Sequence, residues 1–214
     1  MPGRYPVLLD LAGRPCLVVG GGAVAERKVR GLQGVGADVT VIAPAATEGL
    51  AAAAADGEVR WHRRPVTPAD LGPGAADRPG WSFVVAATDD AATNAKVVAA
   101  ATAAGTWAND ASDPEGGPAA LPAVHRDGAL TLAVSTGGVH PGAATWLRDL
   151  AAGAIGPEHL RALDLVAEVR AAAPDGARPD WRAAVDSGML DLIREGREAE
   201  AKERLQACLS SSSD

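Results

Sequence analysis

The stretch Pro15-Cys16-Leu17-Val18-Val19-Gly20-Gly21-Gly22-Ala23-Val24-Ala25-Glu26-Arg27-Lys28 constrains the fold more than any other. Apolar residues run straight into three glycines and helix-forming residues follow at once, which predicts a strand, a tight turn and a helix. The pattern is G-x-G-x-x-A. Gly20 stands where such a turn needs an unusual φ, Gly22 lacks the Cβ that would hold a pyrophosphate off the backbone, and Ala25 is small enough for close helix–strand packing. Gly20, Gly22, Ala23 and Val24 are therefore candidate cofactor-binding residues, with backbone N–H groups and the positive end of the helix dipole facing phosphates. The bland alternative is a Gly-rich turn that binds nothing, so the neighbouring elements have to decide.

They continue the pattern. Val24, Ala25, Val29 and Leu32 fall on one side of the first helix, Gly34 and Gly36 stop it, and Asp38-Val39-Thr40-Val41-Ile42 reads as a second strand. Strand, helix and strand make a βαβ unit, which implies a parallel sheet with a right-handed crossover. The acid expected about 20 residues beyond the glycines to hold ribose hydroxyls is missing. The second strand runs out through Ile42-Ala43-Pro44-Ala45, so backbone and apolar contacts at Pro44 and Ala45 would carry the adenosine end, and the choice between NAD and NADP stays open.

Thr47 to Ala55 reads as an Ala-rich helix and Val59 to His62 as a short strand. Arg63 and Arg64 are either a solvated edge or an anion contact, and Gly72 to Gly80 is a Pro/Gly-rich surface loop. Trp81 to Ala87 reads as a buried strand ending in Thr88-Asp89-Asp90. Ligands sit at the carboxyl ends of parallel strands, which makes Thr88 and Asp89 candidates too. A helix from Asn94 to Ala104 leads to a fifth strand, Thr106 to Asn109, ending in Asp110-Ala111-Ser112-Asp113-Pro114-Glu115. The fold class is α/β, a Rossmann-type parallel sheet.

After Gly116 the pattern changes. Leu121 to Arg126 and Ala129 to Val134 are extended runs joined by Asp127-Gly128, a hairpin signal, and a helix follows Ser135 to Pro141. From Pro157 to Leu209 only helical patterns appear, and Ser210 to Asp214 is expected to be disordered. At the other end, Val7-Leu8-Leu9 suggests an edge strand or a packing strap.

The net charge of −7 carries no basic block, which argues against a nucleic-acid partner. An anionic small molecule would need local positive charge, which makes His125, Arg126, His140 and Arg148 informative. No apolar run reaches the ~20 residues of a membrane span, no signal peptide is evident, and the two cysteines look neither catalytic nor metal-binding. A cytoplasmic protein without a metal site is expected. The only tyrosine is Tyr5, which excludes the Tyr-x-x-x-Lys chemistry of short-chain reductases, and the missing acid after the second strand disfavours a methyltransferase.

Five elements in order resemble the precorrin-2 dehydrogenases, the siroheme synthase amino-terminal family that includes bifunctional precorrin-2 dehydrogenase/sirohydrochlorin ferrochelatases. They are Gly20-Gly21-Gly22-x-Val24-Ala25-x-Arg27-Lys28, Ala86-Ala87-Thr88-Asp89-Asp90 with Asn94, the Asn109-to-Pro114 loop, Leu121-Pro122-Ala123-Val124, and Val134-Ser135-Thr136-Gly137-Gly138 with Pro141. The resemblance implies an NAD-binding Rossmann domain over 1–113, a dimerisation region over 114–153, a helical domain over 154–209, and a homodimer as the working form. It implies NAD as cofactor and hydride removal from precorrin-2 to give sirohydrochlorin, with ferrous iron insertion in some members. It makes Asn109, Ser135, Thr136, Gly137 and His140 candidate contacts for this anionic tetrapyrrole. The family's catalytic aspartate falls where this chain has Ser112, flanked by Asp110 and Asp113. Asp113 and Ser112 are accordingly the candidate catalytic residues: Asp113 takes over through a shifted loop, or the chemistry rests on positioning, with Asp113 capping a turn. A non-catalytic NAD- or tetrapyrrole-binding relative is the alternative.

Overall fold

The structure is a computed structural model that describes residues 3–72, 80–113, 115–173 and 177–211. Most of the loop expected from Gly72 to Gly80 lies outside the described residues. Two compact units divide the chain, Met1–Leu121 and Pro122–Asp214. In the first unit, among the described residues, β1 (Pro15–Val19), β2 (Asp38–Ile42), β3 (Arg60–His62), β4 (Phe83–Ala86) and β5 (Trp107–Asp110) form a five-stranded sheet in the order β3-β2-β1-β4-β5. Every pair is parallel. The order reverses between β1 and β4, where Val19 lies beside Ala86, and the crevice at that switch point is where open α/β sheets bind ligands.

Side-chain alternation along the strands sorts the core onto two faces. Cys16 and Val18 of β1 pack with Ala25, Val29 and Leu32 of α1 (Ala23–Gln33). Leu17 and Val19 face the other way, among Val97, Val98 and Ala101 of α3 (Ala91–Ala103). The buried residues of α1 follow i, i+4, i+7 spacing, and Val24, one position off that stripe, is 40% exposed rather than buried as its apolar character suggested. Helix α2 (Glu48–Ala55) starts on Thr47, whose hydroxyl accepts from the Leu50 N–H at 3.3 Å.

The segment after β5 stays with this unit. Ala119 N–H donates to the Ala108 carbonyl at 3.1 Å, so the first unit runs on past Asp113 to Leu121. Val7, Leu8 and Leu9 form no strand and are exposed, against the expectation of an edge strand or strap.

In the second unit, β6 (Ala123–Asp127) and β7 (Leu130–Val134) make the expected hairpin, with Gly128 at φ +52° supplying the turn. Helix α4 (Pro141–Gly153) packs on both strands. A separate core joins α5 (Pro157–Ala172), α6 (Trp181–Asp186), α7 (Met189–Arg194) and α8 (Glu198–Ala207) around Ala162, Leu165, Val169, Met189 and Leu205. One feature of this region departs from the sequence reading. β8 (Ala177–Pro179) pairs antiparallel with β9 (Leu209–Ser211), so Ser210 and Ser211 are in a strand rather than a disordered tail, and 212–214 lie outside the described residues.

Candidate functional site

Three consecutive glycines after β1 serve three different needs. Gly20 has φ +124°, and a Cβ there would run into the Ala87 carbonyl, so this residue lets β1 leave the sheet directly beside the end of β4. Gly21 is the tightest: a Cβ would overlap the Ala45 carbonyl, and the Gly21 carbonyl accepts from Thr47 N–H at 2.9 Å. Gly21 thus welds the turn to the β2–α2 loop that carries Pro44 and Ala45, both exposed. Gly22 differs from both. A Cβ on it would meet no protein atom within 4 Å, and as N-cap of α1 it offers no side-chain acceptor to the first-turn N–H groups. Open space in front of uncapped amides at a helix N-terminus suits a pyrophosphate, so the residues present fit a dinucleotide. Ala23 and Val24 supply that first turn and are exposed.

The ends of β4 and β5 are tied together by one buried side chain. Asn94, fully buried on α3, accepts at Oδ1 from Thr88 N–H (3.0 Å) and from the Thr88 hydroxyl (2.7 Å). Its Nδ2 donates to the Thr88 carbonyl (3.1 Å) and to Ser112 Oγ (3.1 Å). Because a backbone N–H can only donate, the amide orientation is fixed, and Asn94 is a donor toward Ser112. Ser112 Oγ lies 2.6 Å from Asp110 Oδ1, which also accepts the N–H groups of Ser112 (2.8 Å) and Asp113 (3.2 Å). Gly20, Thr88, Asn94, Ser112 and Asp110 therefore form one continuous line from the glycine turn to the end of β5.

Not every residue expected at the site has a free side chain. Asp113 is exposed, and its Oδ1 accepts from Glu115 N–H at 2.9 Å, which makes it the cap of its own turn. Asn109 is buried, its Nδ2 donates to the Ala119 carbonyl at 3.0 Å, and its Oδ1 is without a partner among the described residues. Asp89 is exposed. Arg64 is paired with Asp70 by two hydrogen bonds of 2.7 Å, and Arg63 stacks over the Trp61 ring at 4.6 Å.

Ser135, Thr136, Gly137 and His140 belong to the second unit. Ser135 Oγ accepts from Gly137 N–H (3.3 Å), Thr136 Oγ1 donates to the His140 carbonyl (3.3 Å), and His140 Nδ1 caps α4 by accepting from Gly142 N–H (3.1 Å). Gly137 and Gly138 hold φ +63° and +86°, which keeps this exposed loop tightly turned.

Two participants carry signals that were passed over. Asp110 stands two residues before Ser112, the spacing at which an Asp side chain accepts the N–H two residues on. Gly21 stands at the variable position of G-x-G, where the motif requires no glycine, although it is the turn glycine that tolerates a side chain least.

Comparison with known proteins follows the same line. Residues 7–123 match the family described as "Putative NAD(P)-binding". The Siroheme synthase of Methylobacillus flagellatus is 33% identical over 96% of this chain and 44% of its own length, and that of Gluconacetobacter diazotrophicus 35% identical over 98% and 45%. The chain belongs to this NAD(P)-binding family. Siroheme synthase 1 of Aeromonas salmonicida is 39% identical over 74% of the chain and 32% of that protein. This family member thus spans less than half the length of these relatives. Among solved structures, "SirC, precorrin-2 dehydrogenase" superposes with a TM-score of 0.68 at 28% identity, covering 95% of this chain and 98% of that one. The NAD(P) cofactor class and the α/β fold implied by the sequence are those of the family. No helix among the described residues is long and apolar enough to cross a membrane.

Proposed function

We propose that this protein oxidises precorrin-2 to sirohydrochlorin with NAD as the hydride acceptor. The observation that carries the reading is the unbroken line from the nucleotide turn through Thr88 and Asn94 to Ser112, all at the carboxyl edge of the sheet where the strand order reverses. The likeness to SirC over nearly the full length of both chains supports it. NAD, when bound, supplies an acceptor for two electrons and one hydrogen. The protein's own part is to hold it and to place a substrate against it. Gly22 and the first turn of α1 would take the pyrophosphate, and Pro44 and Ala45 the adenosine end. Thr88 and Ser112, fixed by a buried amide, would line the nicotinamide side, where positioning alone removes much of a barrier.

The substrate's carboxylates need cations, and His125, Arg126 and Arg148 on the hairpin and α4 are the candidates in the second unit. Arg148 is already paired with Asp149, its Nη2 2.6 Å from Asp149 Oδ1, so a substrate carboxylate would compete with that partner. Of the loop candidates Ser135, Thr136, Gly137 and His140, the Ser135 hydroxyl would add a donor, while the Thr136 hydroxyl and the Gly137 N–H would have to leave their partners within the loop. The same unit exposes Val139, Trp146 and Leu150, an apolar face that we assign to a homodimer, as the family resemblance implies.

The test is anaerobic incubation of enzymatically generated precorrin-2 with and without NAD. Sirohydrochlorin and NADH should appear only with NAD. Binding of both ligands without conversion would instead favour a non-catalytic relative, and formation of siroheme on adding ferrous iron would extend the reading to chelation.

A further inference from the structure

Removing a hydride from a neutral C–H or N–H framework leaves a proton to be taken up, and the carboxylate expected for that task is absent at residue 112. We propose that Asp110 performs it through Ser112, so that a buried carboxylate and an exposed hydroxyl together replace one aspartate. This rests on the dehydrogenase reading above and deepens it.

The direction of every proton in the cluster can be derived. Asn94 has its Oδ1 occupied by Thr88 N–H, so it must donate to Ser112 Oγ. A serine hydroxyl has one proton and two lone pairs. One lone pair is taken by Asn94, and the only acceptor within reach of the proton among the described residues is Asp110 Oδ1 at 2.6 Å. That leaves one lone pair on the hydroxyl of an exposed residue. Asp110 itself is only 5% exposed and could not touch a large macrocycle directly, whereas Ser112 is at the surface of the loop. The reaction then balances. The hydride leaves the substrate with its electron pair for the nicotinamide. The accompanying proton passes to the free lone pair of Ser112 Oγ as the hydroxyl gives its own proton to Asp110, and Asp110 returns it to solvent before the next turnover. Asp113 makes no hydrogen bond to Ser112 Oγ among the described residues; its Oδ1 accepts the Glu115 N–H.

A plain turn would show the same Asp110 hydrogen bonds to the Ser112 and Asp113 amides, so the test must separate support of the loop from proton transfer. Asp110→Asn keeps the shape and an acceptor oxygen but removes the base. It should lower kcat about a hundredfold, the range of a lost general base, while KM for precorrin-2 and the NADH Kd read by fluorescence change less than about twofold. Ser112→Ala should do the same. The decisive variant is Asp110→Asn combined with Ser112→Asp, which puts a carboxylate directly at the surface position and should recover most of the lost kcat. A purely structural Asp110 would not be rescued in this way. Asp110→Asn with wild-type kcat, or a double variant as slow as Asp110→Asn alone, would overturn the proposal. If Asp110→Asn fails to fold by thermal unfolding, Ser112→Ala decides, and wild-type kcat in that variant overturns it. A wild type that leaves precorrin-2 unconverted would overturn the dehydrogenase reading and the relay together.

Discussion

Gly21 has the least room for a side chain of the three turn glycines, because its Cα faces the Ala45 carbonyl across a gap that closes the nucleotide turn onto the β2–α2 loop. Gly21→Ala forces backbone to move against backbone, and overpacking of this kind costs about 1–3 kcal/mol. Thermal unfolding should therefore fall by several degrees and NADH affinity with it. Gly22→Ala, whose Cβ meets no protein atom, should lose NADH affinity at nearly unchanged stability. Equal stability losses in the two variants would mean that the glycines serve packing alone. Asn94 is the second residue on which the site depends. Asn94→Ala would leave the half-buried Thr88 N–H without its acceptor and remove the donor to Ser112 Oγ, which keeps Asp110, a loss of about 1–3 kcal/mol measurable by urea unfolding. These single residues were the hardest part to read in the sequence. G-x-G names two glycines and leaves the third unassigned, and which of Asp110, Ser112 and Asp113 points where depends on a loop whose path is set by an asparagine on another element. For Asp113 the sequence leaves two roles open, an acid on a shifted loop or the cap of a turn, and its Oδ1 accepts the Glu115 N–H.

At the scale of elements, strands β1 to β5 and helices α1 and α3 were legible because period-2 and period-3.6 burial follow from the chain's own alternation. Edges were less so: Trp81 and Ser82 precede β4 rather than belong to it, although Ser82 N–H donates to the Pro15 carbonyl of β1 at 2.8 Å. The short pair of β8 and β9 was not legible at all, because Ala177-Arg178-Pro179 and Leu209-Ser210-Ser211 hold no β-branched or aromatic residue, whereas β3, equally short, carries Trp61. The turn around Asp70 makes its own prediction. The Arg64 guanidinium, opposed by burial and aided by the Thr67 N–H and hydroxyl, holds the Asp70 carboxyl far below the usual carboxylate range. A carboxyl with a depressed folded pKa contributes stability that is fully present above about pH 4, its unfolded value, and is lost as the pH falls toward the folded one. Asp70→Asn should accordingly lower stability at neutral pH and flatten the decline in the acid range. Parallel acid-unfolding curves for the variant and the wild type would show that this pair is not what the loop depends on.

For the whole molecule, the two units differ in construction: a parallel sheet with a glycine turn at the end of β1, and a hairpin-and-helix unit that exposes Trp146 and Leu150. Trp146 is 63% and Leu150 60% exposed on α4, and burying such residues between two copies would contribute roughly 1.5–3 kcal/mol for each side chain. Trp146→Asp should shift sedimentation from dimer to monomer. An unchanged sedimentation coefficient would place the dimer elsewhere or dispense with it. Net charge of −7 across the chain makes the cations of this unit the exception rather than the background, and anion binding there should weaken as salt rises. The central claim is that NAD is consumed stoichiometrically by a tetrapyrrole oxidation in this chain alone. The most direct measurement is anaerobic conversion of excess precorrin-2 with limiting NAD, counting both products. Sirohydrochlorin should rise in step with NADH and stop when the NAD is spent, whereas sirohydrochlorin in excess of NADH, or none at all with both ligands bound, would contradict it.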